Sequence, residues 1–234
     1  MNTKTFLAVC FLLTAVTQNS VVAQESPLIY GLNVEQLEWR SSDNDSSMIA
    51  WDGKFLIGSG EQKFVLRNTG EFETDESIFE TLETYGLVQI PISRLYDVTV
   101  GIRLDTSDEL DRAYGAIGIQ GTGPFSVETR YELFLSKYSS ARAEFKNEIS
   151  IASLTLTPSF EINLPFTDDE EMNVGEWGAS LELGARMSFD LGYGWSPHIG
   201  VHYEAVVGET KDLVKAKGEN TEALRFVVGL AFMF

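Results

Sequence analysis

The feature that most constrains this chain is a period of two. Tyr96, Val98, Val100, Ile102 and Leu104 alternate with Asp97, Thr99, Gly101, Arg103 and Asp105. Side chains two residues apart share one face of a strand, so this segment has one apolar and one polar face. The same alternation returns along the chain. The polar face carries Glu128, Arg130 and Glu132 in 127–136, and Arg142, Glu144, Lys146 and Glu148 in 141–151. It carries Glu182, Arg186 and Asp190 in 181–190, and His202 and Glu204 in 199–204. Apolar residues three and four apart, which a surface helix would need, are almost absent from these segments.

The pattern predicts about twelve strands, over roughly 28–40, 47–58, 61–73, 77–90, 94–105, 112–121, 124–137, 140–152, 153–164, 178–190, 195–208 and 223–234. Parity slips near Glu35-Gln36 and near Asp52-Gly53-Lys54, which predicts bulges in the first two strands. The connections alternate in length. Short ones lie near 59–61, 91–93, 121–124, 152–153 and 191–194. Most of the others, at 41–46, 105–111, 166–177 and 208–222, are longer and acidic, with 138–139 as the exception.

The start of the chain has a different character. Met1-Asn-Thr-Lys4 is positively charged, 6–16 is nearly all apolar, and Val21-Val-Ala23 offers small residues before a cleavage point. This is the layout of a secretory signal peptide over 1–23, cut after Ala23, leaving a barrel domain over 24–234. The apolar run is too short to span a bilayer as a helix. The single cysteine, Cys10, lies inside it, so the exported chain carries no disulfide and no cysteine metal site.

Composition excludes other classes. With 17 Lys+Arg against 35 Asp+Glu the formal charge is −18, which repels nucleic-acid phosphate. At 44% apolar and 12% aromatic the chain can bury a core, unlike an acidic disordered tail. Its mean hydropathy of −0.04 is far below that of a bundle of transmembrane helices.

A soluble sandwich and a membrane barrel both alternate. An export signal, an even strand count and alternating short and long connections favour an all-β, transmembrane, antiparallel up-and-down barrel in the outer membrane of a Gram-negative bacterium. The last strand carries Phe226, Val228, Leu230, Phe232 and Phe234 at alternate positions. A terminal aromatic of this kind resembles the signal read by the barrel assembly machinery, which makes Phe234 the expected contact. Tyr30, Trp39, Tyr96, Phe125, Phe189, Trp195 and Phe232 lie near predicted strand ends, where aromatics favour the headgroup level.

In such a barrel the polar faces line the lumen. They carry the carboxylates Asp97, Asp105, Glu128, Glu132, Glu144, Glu148, Glu161, Glu182, Asp190 and Glu204. The bases Arg103, Arg130, Arg142, Lys146, Arg186 and Arg225 accompany them. Two readings follow: a vestibule or channel that attracts cations, or a closed structural barrel whose lumen is plugged by ion pairs. A hydrolase would have to pair Ser159 or Ser180 with His198 or His202, all on the predicted lumen side. No nucleophile motif surrounds either serine, and no enzyme is expected.

The segments Gly31-Leu-Asn-Val-Glu-Gln-Leu-Glu-Trp-Arg40, Val100-Gly-Ile-Arg-Leu-Asp105, Tyr114-Gly-Ala-Ile-Gly-Ile-Gln-Gly121, Leu133-Phe-Leu-Ser136 and Arg225-Phe-Val-Val-Gly229 resemble the copper resistance protein B family. So do Ala50-Trp-Asp-Gly53, Ser140-Ala-Arg142 and Leu181-Glu-Leu-Gly184, in the same order along 29–234. The resemblance implies an outer-membrane barrel linked to copper tolerance, with copper as the ion handled and a periplasmic copper-handling protein as partner. A generic small-solute channel is the alternative. Many members carry a Met- and His-rich segment before the barrel, whereas here only Gln24-Glu-Ser-Pro27 stands there. Imidazole suits copper, so His202 and Glu204 with His198 are the candidate metal ligands. His198 and His202 are ~13 Å apart along a strand and cannot share one ion.

Overall fold

The computed structural model describes residues 27–41, 47–75, 77–107 and 111–234. The expected signal peptide lies outside the described residues. The strands are β1 (Ile29–Ser41), β2 (Met48–Gly58), β3 (Lys63–Glu73), β4 (Ile78–Pro91), β5 (Tyr96–Thr106), β6 (Asp111–Thr122) and β7 (Glu128–Leu135). They continue as β8 (Ser140–Lys146), β9 (Ile149–Ile151), β10 (Leu154–Pro165), β11 (Ser180–Ser188), β12 (Trp195–Val206) and β13 (Glu222–Met233). Neighbours pair antiparallel, and β13 pairs with β1, which closes the sheet into a barrel of twelve staves. Closure leaves no unpaired strand edge, the condition a sheet must meet in lipid.

β8 and β9 are one stave, since both lie along β10. The break at Asn147-Glu148 faces Thr157-Pro158, and Pro158 has no N–H to donate to the ladder. Its carbonyl still accepts from the Asn147 N–H at 3.2 Å.

Side-chain exposure is inside out. Val100, Ile102 and Leu104 of β5 are 47, 48 and 45% exposed, while Arg103 between them is 6% exposed. A soluble sandwich would bury the first set and wet the second. Lipid is the solvent that accepts this outer face.

One β-bulge sits in β1. Val34 pairs with Gly53 and Gln36 with Asp52, so Glu35 is the extra residue. The expected second bulge in β2 is absent: β2 runs in continuous register with β3 from Met48 to Gly58. The parity slip at Asp52-Gly53 is one of composition: Met48 and Ala50 are apolar but lie buried on the same face as Lys54, which bonds to Glu35. A bulge turns two consecutive residues to one face, and Glu35 and Gln36 both bond to lumen side chains.

The short turns, the start of β1 and Phe234 share one end of the barrel. The Leu32 N–H donates to the Phe234 carbonyl (2.9 Å) and the Phe234 N–H to the Leu32 carbonyl (2.8 Å). In the outer membrane this end faces the periplasm and the long connections face outward. The seventh strand starts later than expected, because Pro124–Ser126 form a 3-10 turn.

The connection 207–221, expected as a loop, contains a helix, α1 (Gly208–Lys217). Glu209 in its first turn and Lys215 and Lys217 in its last complement the helix dipole. Gly218 closes it at φ +80°. Helix α1 packs on the connection between β10 and β11. Thr210 Oγ1 accepts from the Gly175 N–H (3.1 Å) and donates to the Gly178 carbonyl (2.9 Å). A side chain at Gly178 would overlap Thr210, so only glycine permits this approach. Together they cap part of the outer mouth.

Candidate functional site: the lumen

The lumen holds three groups of charges. The first surrounds Glu38, which is 1% exposed. It accepts from Arg40 Nε (3.0 Å) and Arg186 Nη2 (2.9 Å), and from Arg186 Nε on its other oxygen. His198 Nε2 lies 2.9 Å from Glu38 Oε1. Gly229 makes room, because a Cβ there would meet both His198 and Glu38. A buried carboxylate needs this many partners to offset its lost hydration.

The second group crosses the middle. Arg67 Nη2 on β3 reaches both oxygens of Glu132 on β7, at 2.8 and 2.9 Å. Its guanidinium stacks on the Tyr85 ring, 3.8 Å from the centroid. Arg103 and Arg142 both donate to Glu83 (2.7 and 2.8 Å), and Arg103 also to Asp105 (2.6 Å). The Tyr85 hydroxyl accepts from Arg142 (3.1 Å). Arg142 Nε pairs with Glu161 at 3.1 Å. Val65, Tyr85, Leu87, Ala116 and Phe134 fill the remaining space. Side chains of β3 and β4 therefore reach those of β7 and β8 across the lumen.

The third group lies toward the short turns. Lys146 pairs with Glu35 (2.8 Å) and Glu144 (2.7 Å), Lys54 with Glu35 (3.4 Å), and Arg130 with Glu144 (2.6 Å). They border a cavity whose rim carries Asp97 and Glu128.

Toward the outer mouth the pairing thins. His202 is 3% exposed, yet its Nε2 has no hydrogen-bond partner. Its nearest carboxylate is Glu182, at 3.7 Å, whose side chain is 43% exposed. Glu80, Glu83, Asp105, Tyr114, Asn163 and Ser180 line an outer cavity of about 260 Å³ beneath the cap.

The two candidate histidines have different neighbours. His198 belongs to the Glu38 group. Glu204 bonds to Arg225 (2.6 Å), and the carboxylate beside His202 is Glu182, directly across from Glu204 on the next strand. Among the described residues no three His, Cys, Asp or Glu side chains converge to hold a metal ion. Glu148 lies exposed in the break between β8 and β9, and Asp190 caps the β11–β12 turn by accepting from Gly192 N–H, so neither joins the inner network. Ser159 Oγ accepts from Arg186 at 3.4 Å.

Sequence reasoning missed the contribution of β1 to β4: Glu35, Glu38, Arg40, Lys54, Arg67 and Glu83. The alternation Gln36-x-Glu38-x-Arg40 was the signal, obscured by the bulge.

Comparison with known proteins fits this architecture. The NanC porin superposes with a TM-score of 0.55 at 12% identity, covering 86% of this chain and 98% of that one. The KdgM porin in complex with disordered oligogalacturonate gives 0.50 at 11%, covering 88% and 99%. At such identities the likeness concerns the fold. The family described as Copper resistance protein B precursor (CopB) matches residues 28–234. This chain belongs to the copper resistance protein B family.

Within that family, Copper resistance protein B of Escherichia coli is 28% identical over 213 residues, covering 90% of this chain and 71% of that protein. A Copper resistance protein B homolog of Pseudomonas syringae pv. tomato is 27% identical over 203 residues, covering 86% and 68%. The copper resistance protein B match runs from just before β1 to the last residue of the chain, so it spans every residue of the lumen network.

Proposed function

We propose that this outer-membrane barrel serves copper tolerance by capturing copper ions in the outer half of its lumen, at His202 and Glu182. The observation that carries the reading is the buried, unpartnered His202 Nε2 beside a half-exposed carboxylate. An imidazole nitrogen with a carboxylate oxygen suits copper(II). Two donors make a holding point for an ion in transit from the vestibule. The reading is not enzymatic. A periplasmic copper-handling protein would take over ions that cross, and Phe234 would present the barrel to the assembly machinery.

The test is metal stoichiometry on the purified, folded barrel. Copper should bind to the parent, and His202→Ala with Glu182→Gln should abolish it without loss of fold. Equal copper in both, or none in the parent, would overturn the reading. The cross-lumen Arg67–Glu132 pair favours a second reading, a closed structural barrel. In planar bilayers that barrel would show no conductance with or without copper.

A further inference from the structure

The short-turn end exposes apolar side chains where water would be expected. Phe125 and Tyr193, at the tips of the β6–β7 and β11–β12 turns, are 92 and 94% exposed. Leu191 beside Tyr193, and Ile92 and Leu95 in the β4–β5 turn, are 58 to 60% exposed.

Hydrogen bonds close these turns. The Leu191 N–H donates to the Trp195 carbonyl (2.9 Å) and the Gly123 N–H to the Val127 carbonyl (2.7 Å). The Ser93 hydroxyl accepts from the Leu95 and Tyr96 N–H groups. In this arrangement the tip side chains stand away from the barrel.

Phe125 and Tyr193 also hold φ of +60° and +56°. A bulky residue in this left-handed region is strained, and such strain persists only where something offsets it. It cannot be internal packing, because both rings stand clear of the barrel.

The apolar tips continue the lipid-facing belt. Trp195, two residues beyond Tyr193, contacts Phe232 and Phe234 with ring centroids 5.1 and 5.7 Å away. This trio is the aromatic girdle on that side. Arg94 stands exposed between Ile92 and Leu95, where its guanidinium can reach lipid phosphate. The β2–β3 turn, Ser59-Gly-Glu-Gln62, is polar and interrupts the ring.

We propose that the short-turn end is a lipid-binding surface, with the β4–β5, β6–β7 and β11–β12 tips seated in the headgroup layer of the inner leaflet. The polar β2–β3 turn reaches periplasmic water. Transfer of the Phe125 and Tyr193 rings into the interface offsets their backbone strain, and the barrel is fixed in depth at that end.

The exported chain contains no cysteine, so single spin labels can be placed cleanly. Phe125→Cys, Tyr193→Cys and Glu61→Cys would each be labelled in phosphatidylethanolamine–phosphatidylglycerol vesicles. A mobility shift between boiled and unboiled gel samples verifies that each variant is folded. The ratio of oxygen to nickel-chelate accessibility should be several-fold higher at 125 and 193 than at 61. Equal ratios at the three positions would overturn the proposal. So would labels at 125 and 193 that are immobilised yet nickel-accessible, the signature of a protein contact in water.

Discussion

The two histidines of β12 stand four residues apart on one face and meet opposite fates. His198 is locked against Glu38 in a group where Arg40, Arg186 and Gln36 leave little unsatisfied. His202 is as deeply buried but faces Glu182 without a bond. The difference extends to the lumen around them. Around Glu38, across the middle and toward the short turns, carboxylates and bases are matched closely. Near the outer mouth Glu182 stays partly exposed, and Glu80 is exposed beside a cavity. Chemistry on a diffusing ion needs unspent donors, and the paired region has few. The lesson is that charge in a lumen counts as functional only after its ion pairs have been subtracted.

The largest effect should come from breaking the paired region at Glu38. Glu38→Ala would take the carboxylate partner from Arg186 and His198 inside the barrel, while Arg40 keeps Glu71. Removing one partner of a buried charge group costs about 3–5 kcal/mol. Urea titration read by gel mobility should show that loss, while Glu182→Gln should shift the midpoint hardly at all. Similar losses from both would erase the distinction between the two regions.

Next comes the constriction. Arg67→Ala removes the guanidinium that bridges β3 to β7 and leaves Glu132 unpaired, again at about 3–5 kcal/mol if nothing repacks. Under conditions where the variant still folds, it should conduct cations in planar bilayers, and the parent should conduct far less. Unchanged current would mean that the Tyr85–Phe134 packing, not the ion pair, closes the lumen.

A smaller effect is expected at the outer cap. Arg112 donates to Asp169 (3.2 Å) and Glu171 (2.6 Å), joining β6 to the β10–β11 connection. Glu171 is 62% exposed, so its arm is screened, but Asp169 is buried, so Arg112→Gln should cost more than the ~1 kcal/mol of a surface pair and less than Glu38→Ala. Cleavage within 166–179 by added protease should nevertheless speed up, and high salt should mimic the substitution in the parent. No change in cleavage would place the hold on Thr210 and α1 alone.

Strand positions from β3 onward were legible because lipid and lumen impose opposite demands on alternate residues. That contrast survives local noise, as β5 shows at every position from Val98 to Asp105. It failed at β1, where Glu35 is inserted, and at 207–221, where a short helix depends on Thr210 meeting Gly175 and Gly178. For the site, the inward direction of Asp97, Arg103, Glu132, Arg142 and Arg186 was readable, but their partners were not. Ion pairs such as Arg67–Glu132 join residues 65 positions apart.

By itself, then, the sequence determined the closed barrel, its inside-out polarity and the alternation of short turns with long loops. Each follows from a period of two acting between neighbours on one strand. Only the tertiary structure decided which charges cancel. Closure brings β3 within reach of β7 and β1 within reach of β11 and β12, and side-chain reach across that space selects the partners. The same closure left His202 unpaired: its nearest carboxylate, Glu182, stops 3.7 Å away, and Glu204 turns to Arg225 instead.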